Sequence, residues 1–143
     1  MKVDRSFARH YVLALLVFLV LDGVWLGFVA RPFYKSQLGF LLTESPNWAA
    51  AGIFYLLFVA GLVVFVVSPG AREGSLGRAV ARGGFFGLVT YAAYDLTNLA
   101  TVERWPLVVT VVDLAWGTVL SGTTTFLTLW FGKKRASRLL NNS

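Results

Sequence analysis

Three aspartates set in oily sequence are the residues of this chain most able to do chemistry: Asp22 in "LDGVWLG", Asp95 in "YAAYDLTNLAT" and Asp113 in "VVDLAWGT". No Lys or Arg shares their apolar stretches. An uncompensated aspartate at the centre of a membrane helix costs about 2.5 to 3.5 kcal/mol, so each is expected to face protein or water. Crowded together, the three should not all be ionised at neutral pH. Such carboxyls serve as acids, bases, hydrogen-bonding groups or ligands of a cation.

Their neighbours extend the set. Tyr91, Asp95 and Asn98 fall at i, i+4 and i+7, and Thr90, Tyr94, Thr97 and Thr101 form an adjacent strip, so this side of the helix is expected to turn away from lipid. The flanking Tyr91, Tyr94, Thr97 and Asn98 supply more polar groups than one carboxyl needs. Asp-x-x-Trp occurs twice, placing Trp25 and Trp116 one turn from Asp22 and Asp113. These indoles can hydrogen-bond a carboxylate, wall an apolar ligand or sit in an interfacial aromatic belt.

The elements that must position these groups follow from composition. The chain is 57% hydrophobic, with a mean hydropathy of +0.67. Its apolar blocks predict an all-α membrane protein, a single domain over residues 1–143 built as an antiparallel bundle of four transmembrane helices at about 11–30, 48–67, 83–101 and 107–132. The basic start followed by an apolar run lacks a small-residue cleavage site and reads as the first span rather than a leader. Arg31-Pro32 is expected to stop the first span, Ser45-Pro46-Asn47 to start the second, Ser68-Pro69-Gly70 to stop it, and Arg104-Trp105-Pro106 to turn the third into the fourth. Residues 31–45, with aromatic and leucine residues on one side and Lys35, Ser36 and Gln37 on another, read as a short interfacial segment above the acids, either a lid or an anchor.

Ten of the thirteen Lys and Arg residues fall on one side of this arrangement, against Arg31, Lys35 and Arg104 on the other. Both termini are therefore expected in the cytoplasm, and the net charge of +6 is a topology signal rather than a nucleic-acid site. Counted from the outer ends, Asp22 is eight residues before Ala30, Asp95 six before Thr101, Asp113 six after Leu107 and Tyr55 seven after Trp48. All lie roughly 9 to 12 Å deep at 1.5 Å per residue, one residue from each helix. The candidate binding layer is Asp22, Trp25, Tyr55, Tyr91, Asp95, Asn98, Asp113 and Trp116. Gly83 and Gly87 on the third span, and Gly117 and Ser121 on the fourth, predict close helix packing beside it.

In order along nearly the whole chain, "LDGVWLG", "FYKSQLG", "YDLTNLAT" followed by "WP", and "VVDLAWGTVLSG" resemble the DUF2177 family of small bacterial integral membrane proteins. The resemblance implies a four-helix protein of the bacterial cytoplasmic (inner) membrane, and no particular reaction. Cysteine is absent and the one histidine, His10, lies far from the acids, which disfavours thiol chemistry, a His-ligated metal and a Ser-His-Asp triad. No cofactor is indicated and no metal site is assigned.

Three functions fit these features. The acids can bind, and chemically alter, a small lipophilic or amphipathic molecule. They can couple a proton or cation to a small carrier, which at this size would work as a homodimer. Or they can hold the helices in register, as in a structural or accessory subunit of a membrane complex. The lipid bilayer is the expected partner in all three.

Overall fold

Backbone polar groups in hydrocarbon have no partner but one another, which makes helix the default for apolar sequence of this length. The computed structural model describes the backbone of residues 5–140 and the side chains of 6–134, and among these residues it is all-helical. The first rod joins α1 (Arg5–Val24), a π-helical stretch (Trp25–Ala30) and α2 (Arg31–Leu38); the second joins α3 (Trp48–Leu62), another π-helical stretch (Val63–Val67) and α4 (Ser68–Glu73). α5 (Leu76–Thr101) and α6 (Leu107–Leu140) complete the four helices.

Three of them are long and apolar enough to cross a membrane: Ser6–Leu38, Trp48–Glu73 and Leu107–Lys134. α5 is long enough, at 26 residues, but Arg78, Arg82, Asp95 and its hydroxyl-bearing residues dilute its hydropathy. Lys2 and both chain termini, on which the expected cytoplasmic orientation partly rests, lie outside the described residues, as do the side chains of Arg5, Arg135 and Arg138.

Two expected helix ends are corrected. Arg31-Pro32 does not stop the first helix and Ser68-Pro69 does not stop the second: each proline enters a helix immediately after a π-helical stretch. Proline breaks a helix because it lacks an N–H and its ring strikes the carbonyl four residues back. A wider turn just before it changes which carbonyl must be matched, as the Ser68 N–H shows by bonding the Val63 carbonyl, five residues back. Ser45-Pro46-Asn47 starts the second helix as expected, whereas that helix ends at Gly74, beyond the expected stop. Asn47 caps α3, its side chain accepting from the Ala50 N–H at 3.0 Å. Gly74, at φ 70°, ends α4 in the left-handed region.

The tightest packing joins α5 to α6. Their register is antiparallel: Gly83 lies on Ser121 and Thr125, and Gly87 on Gly117. A Cβ at Gly87 would run into the Gly117 carbonyl, and one at Gly117 into the Tyr91 ring. Between apolar helices in lipid, close approach through small residues replaces the hydrophobic drive available in water. α1 packs on α6 and α3, while the π-helical stretch Val63–Val67 and α4 pack on α5. The core at this end is Phe18, Leu62, Val63, Val67 and Leu120, all fully enclosed.

At the other end, beside the α5–α6 turn, α2 lies over the bundle. Its Phe33, Tyr34 and Leu38 pack with Val102, Trp105 and Val109, and Lys35 and Ser36 are exposed. The segment expected as a separate short piece at the interface above the acids is, through Leu38, a continuation of the first helix, seated on the turn between the last two.

Candidate functional site

Asp22 is set by three helices. The Tyr55 hydroxyl of α3 donates to Asp22 Oδ2 at 2.7 Å, and the Trp116 indole N–H of α6 donates to Oδ1 at 3.1 Å. The carboxyl is buried, with both oxygens engaged. Trp25, three residues on, stacks on Trp116 with ring centroids 4.4 Å apart and planes within 10° of parallel. The two Asp-x-x-Trp segments therefore meet face to face. Trp116 hydrogen-bonds the acid of the other segment, while the buried Trp25 N–H has no acceptor within hydrogen-bond geometry.

The second carboxyl group sits under α2, where Tyr34 donates its hydroxyl to Asp113 Oδ1. Next to Asp113 is Asp95, which is 1% exposed. No N–H or hydroxyl group reaches either oxygen of Asp95, whose side-chain partner is the carboxyl of Asp113. The turn beyond holds it in place: the Trp105 indole N–H donates to Thr110 Oγ1 at 3.1 Å, and that hydroxyl lies 3.5 Å from the Asp95 backbone carbonyl.

A cavity of about 430 Å³ opens among these groups. Asp22, Asp95 and Asp113 line it together with Trp25, Trp116 and Tyr34. Tyr55, Phe58 and Tyr91 form further wall, Thr90 contributes a hydroxyl already bonded to the Phe86 carbonyl at 2.8 Å, and Leu26, Phe54 and Tyr94 stand at the rim. Of the eight residues in the expected layer, seven line this cavity. Asn98 does not; it is half-buried outside it.

The polar strip of α5 is also corrected. Tyr94 is 61% exposed, and Thr97 and Thr101 are exposed as well. The threonine hydroxyls bond carbonyls of their own helix, Thr97 to Ala93 at 2.5 Å and Thr101 to Thr97 at 2.7 Å. A threonine that returns its hydrogen bond to the preceding turn can face lipid at little cost, so spacing alone overstated the buried side. Thr97, two residues from Asp95, therefore gives it no hydroxyl.

The family model described as "Predicted membrane protein (DUF2177)" matches residues 7–130. The chain belongs to the DUF2177 family. No curated protein and no solved structure matches it.

The match takes in every lining residue of the cavity. Within this DUF2177 chain, Tyr34 is the contributor that sequence reasoning missed. It was hidden by treating Pro32 as a stop. The signal was the apolar side of 31–38, which carries Phe33, Tyr34 and Leu38 and needed only a continuous helix to bring the tyrosine over Asp113. Chemically, the arrangement offers one carboxyl fixed by two donors and one facing carboxyl pair with a phenol on its far side. Such a pair can take up a proton or a positive group between its members.

Proposed function

We propose that this DUF2177 protein is a four-helix transmembrane bundle of the bacterial cytoplasmic membrane whose cavity binds a small lipophilic or amphipathic molecule. The single observation that carries the reading is Asp95, enclosed, reached by no N–H or hydroxyl donor and turned to a cavity it shares with two other carboxyls. A buried acid kept only for structure would be expected to have its hydrogen bonds made. A cavity of about 430 Å³ is within the size of small-molecule sites, which are mostly apolar with a few converging polar groups. The Asp95 and Asp113 pair is also placed for acid–base work on what is bound.

The test is photolabelling of the full chain in lipid nanodiscs with a diazirine-bearing long-chain alcohol. Label is expected on the Tyr91 to Asp95 turn and on Trp116, and to fall when unlabelled alcohol is added. Label confined to outward residues such as Phe28 and Phe65 would reject a binding site. Orientation is tested separately: reporters at both termini should register as cytoplasmic and one near Thr43 as external, and an external C-terminus would reverse the bundle.

Asp22 supports a second, structural role within the same protein. Both of its oxygens are engaged by side chains of α3 and α6, so it works as a clamp on three helices.

A further inference from the structure

Building on that binding site, we infer that its occupant is a single-chain organic ammonium, whose charged head lies between Asp95 and Asp113 and whose chain leaves sideways between α3 and α5.

The head group follows from what the lining holds and lacks. Three carboxyls line the cavity, and none of the lining residues is Lys, Arg or His. An anionic head group would meet acids on several sides. A neutral one would leave Asp95 and Asp113 to share a proton with each other, with nothing to draw the head group between them. A cation supplies both carboxylates of the pair with a counter-charge, where no N–H or hydroxyl of the lining reaches Asp95. The rest of the wall suits an organic cation better than a metal ion: Trp25, Trp116, Tyr34, Tyr55 and Tyr91 are aromatic, and ring faces attract alkylammonium groups. Among the described residues no group of His, Cys, Asp and Glu is arranged to hold a metal ion.

The route for the chain follows from the rim. Going outward along α3 and α5, ring contacts run from Phe58 to Phe86 at 5.5 Å and from Phe58 to Tyr91 at 6.3 Å. One turn further on, Phe54 and Tyr94 both line the cavity while being 49% and 61% exposed. The bundle is closed by Phe58 and open above it. An alkyl chain passing there would move from the carboxyls into lipid without crossing a polar surface.

The experiment titrates the full chain in maltoside micelles with dodecyltrimethylammonium, dodecanol and dodecyl sulfate at matched micellar mole fraction, read by tryptophan fluorescence and by competition with the photolabel. The ammonium should bind about tenfold tighter than dodecanol, and dodecyl sulfate weakest. Asp95→Asn should bring the ammonium-to-dodecanol affinity ratio down to about one, and Asp113→Asn should do the same if Asp95→Asn does not fold. A diazirine at the far end of the ammonium chain should label Phe54 and Tyr94. Equal binding of dodecanol and the ammonium would overturn this inference and leave the binding site standing. Failure of all three amphiphiles to compete would overturn both. Preference retained in Asp95→Asn and Asp113→Asn, or label away from Phe54 and Tyr94, would reject the placement.

Discussion

Asp22 and Asp95 line the same cavity, yet Asp22 has an N–H or hydroxyl donor on each oxygen and Asp95 has neither kind, only the Asp113 carboxyl beside it. The helices around them differ in the opposite sense. Asp22 sits where α1, α3 and α6 meet through long side chains. Asp95 sits beside the α5–α6 seam, where glycines bring two backbones together and the Trp105 to Thr110 bond fixes the turn. At Asp22 the polar contacts hold the packing. At Asp95 the packing holds the carboxyl where its own bonds would not. A buried polar group without a partner costs about 1 to 3 kcal/mol, so the rigid seam beneath it is what allows the cost to be borne.

The largest effect expected from this contrast is on stability at Asp22. Asp22→Ala leaves the Tyr55 hydroxyl and the Trp116 N–H without an acceptor inside the bundle, which should cost about 2 to 4 kcal/mol. Unfolding by SDS titration in mixed micelles measures it. Tyr55→Phe in the Asp22→Ala background should restore part of the loss by removing one orphaned donor. A singly substituted Asp22→Ala protein as stable as the parent would end the distinction between the two acids.

An intermediate effect is expected at Tyr34, which reaches across from α2 to Asp113. Tyr34→Phe removes one donor and leaves the ring against Phe33, so the cost should be about 0.5 to 1.5 kcal/mol. Because Trp25 lies between this corner and the Asp22 corner, its stack on Trp116 should persist. Near-ultraviolet circular dichroism reports that stack directly. Loss of the tryptophan signal in Tyr34→Phe would mean that the two corners are one cooperative unit.

The contrast itself was hidden from the sequence, although the layer was not. Equal depth in antiparallel helices follows from the rise per residue, so Asp22, Tyr55, Asp95 and Asp113 could be assigned to one level by counting. Which acid is satisfied depends on side-chain reach. Tyr91, Tyr94, Thr97 and Asn98 surround Asp95 in sequence, but Thr97 bonds its own helix, Tyr94 is exposed, Asn98 lies outside the cavity and Tyr91 packs over Gly117. The glycine seam was legible because small residues at helical spacing have one dominant physical use in lipid. The helix ends at Pro32 and Pro69 were misread because proline rules assume an α-helical turn before the ring. A π-helical turn has no comparable mark in composition: "WLGFVA" and "VVFVV" look like ordinary spanning sequence.

The smallest stability change, and the sharpest separation of the two acids, is expected from Asp95→Asn. The amide has the shape of the carboxyl, and its NH2 group can donate to the adjacent Asp113 without the proton that the carboxyl pair must first take up. Stability should therefore stay within about 0.5 kcal/mol of the parent or rise by about 1 kcal/mol, since a facing pair of acceptors becomes a donor and an acceptor. Asp22→Asn makes the matching control. There the new NH2 group would face a donor on either side, from Tyr55 or Trp116, so a loss of about 1 kcal/mol is expected from the same chemical change. Function should divide in the reverse order. In a deletion strain, Asp95→Asn at matched abundance should fail to complement, while Asp22→Asn should retain activity in proportion to the folded protein present. Full complementation by Asp95→Asn would assign all three carboxyls to holding the helices together. A destabilised Asp95→Asn protein would point the same way, because a carboxyl that stabilises the fold must have a partner at its oxygens after all.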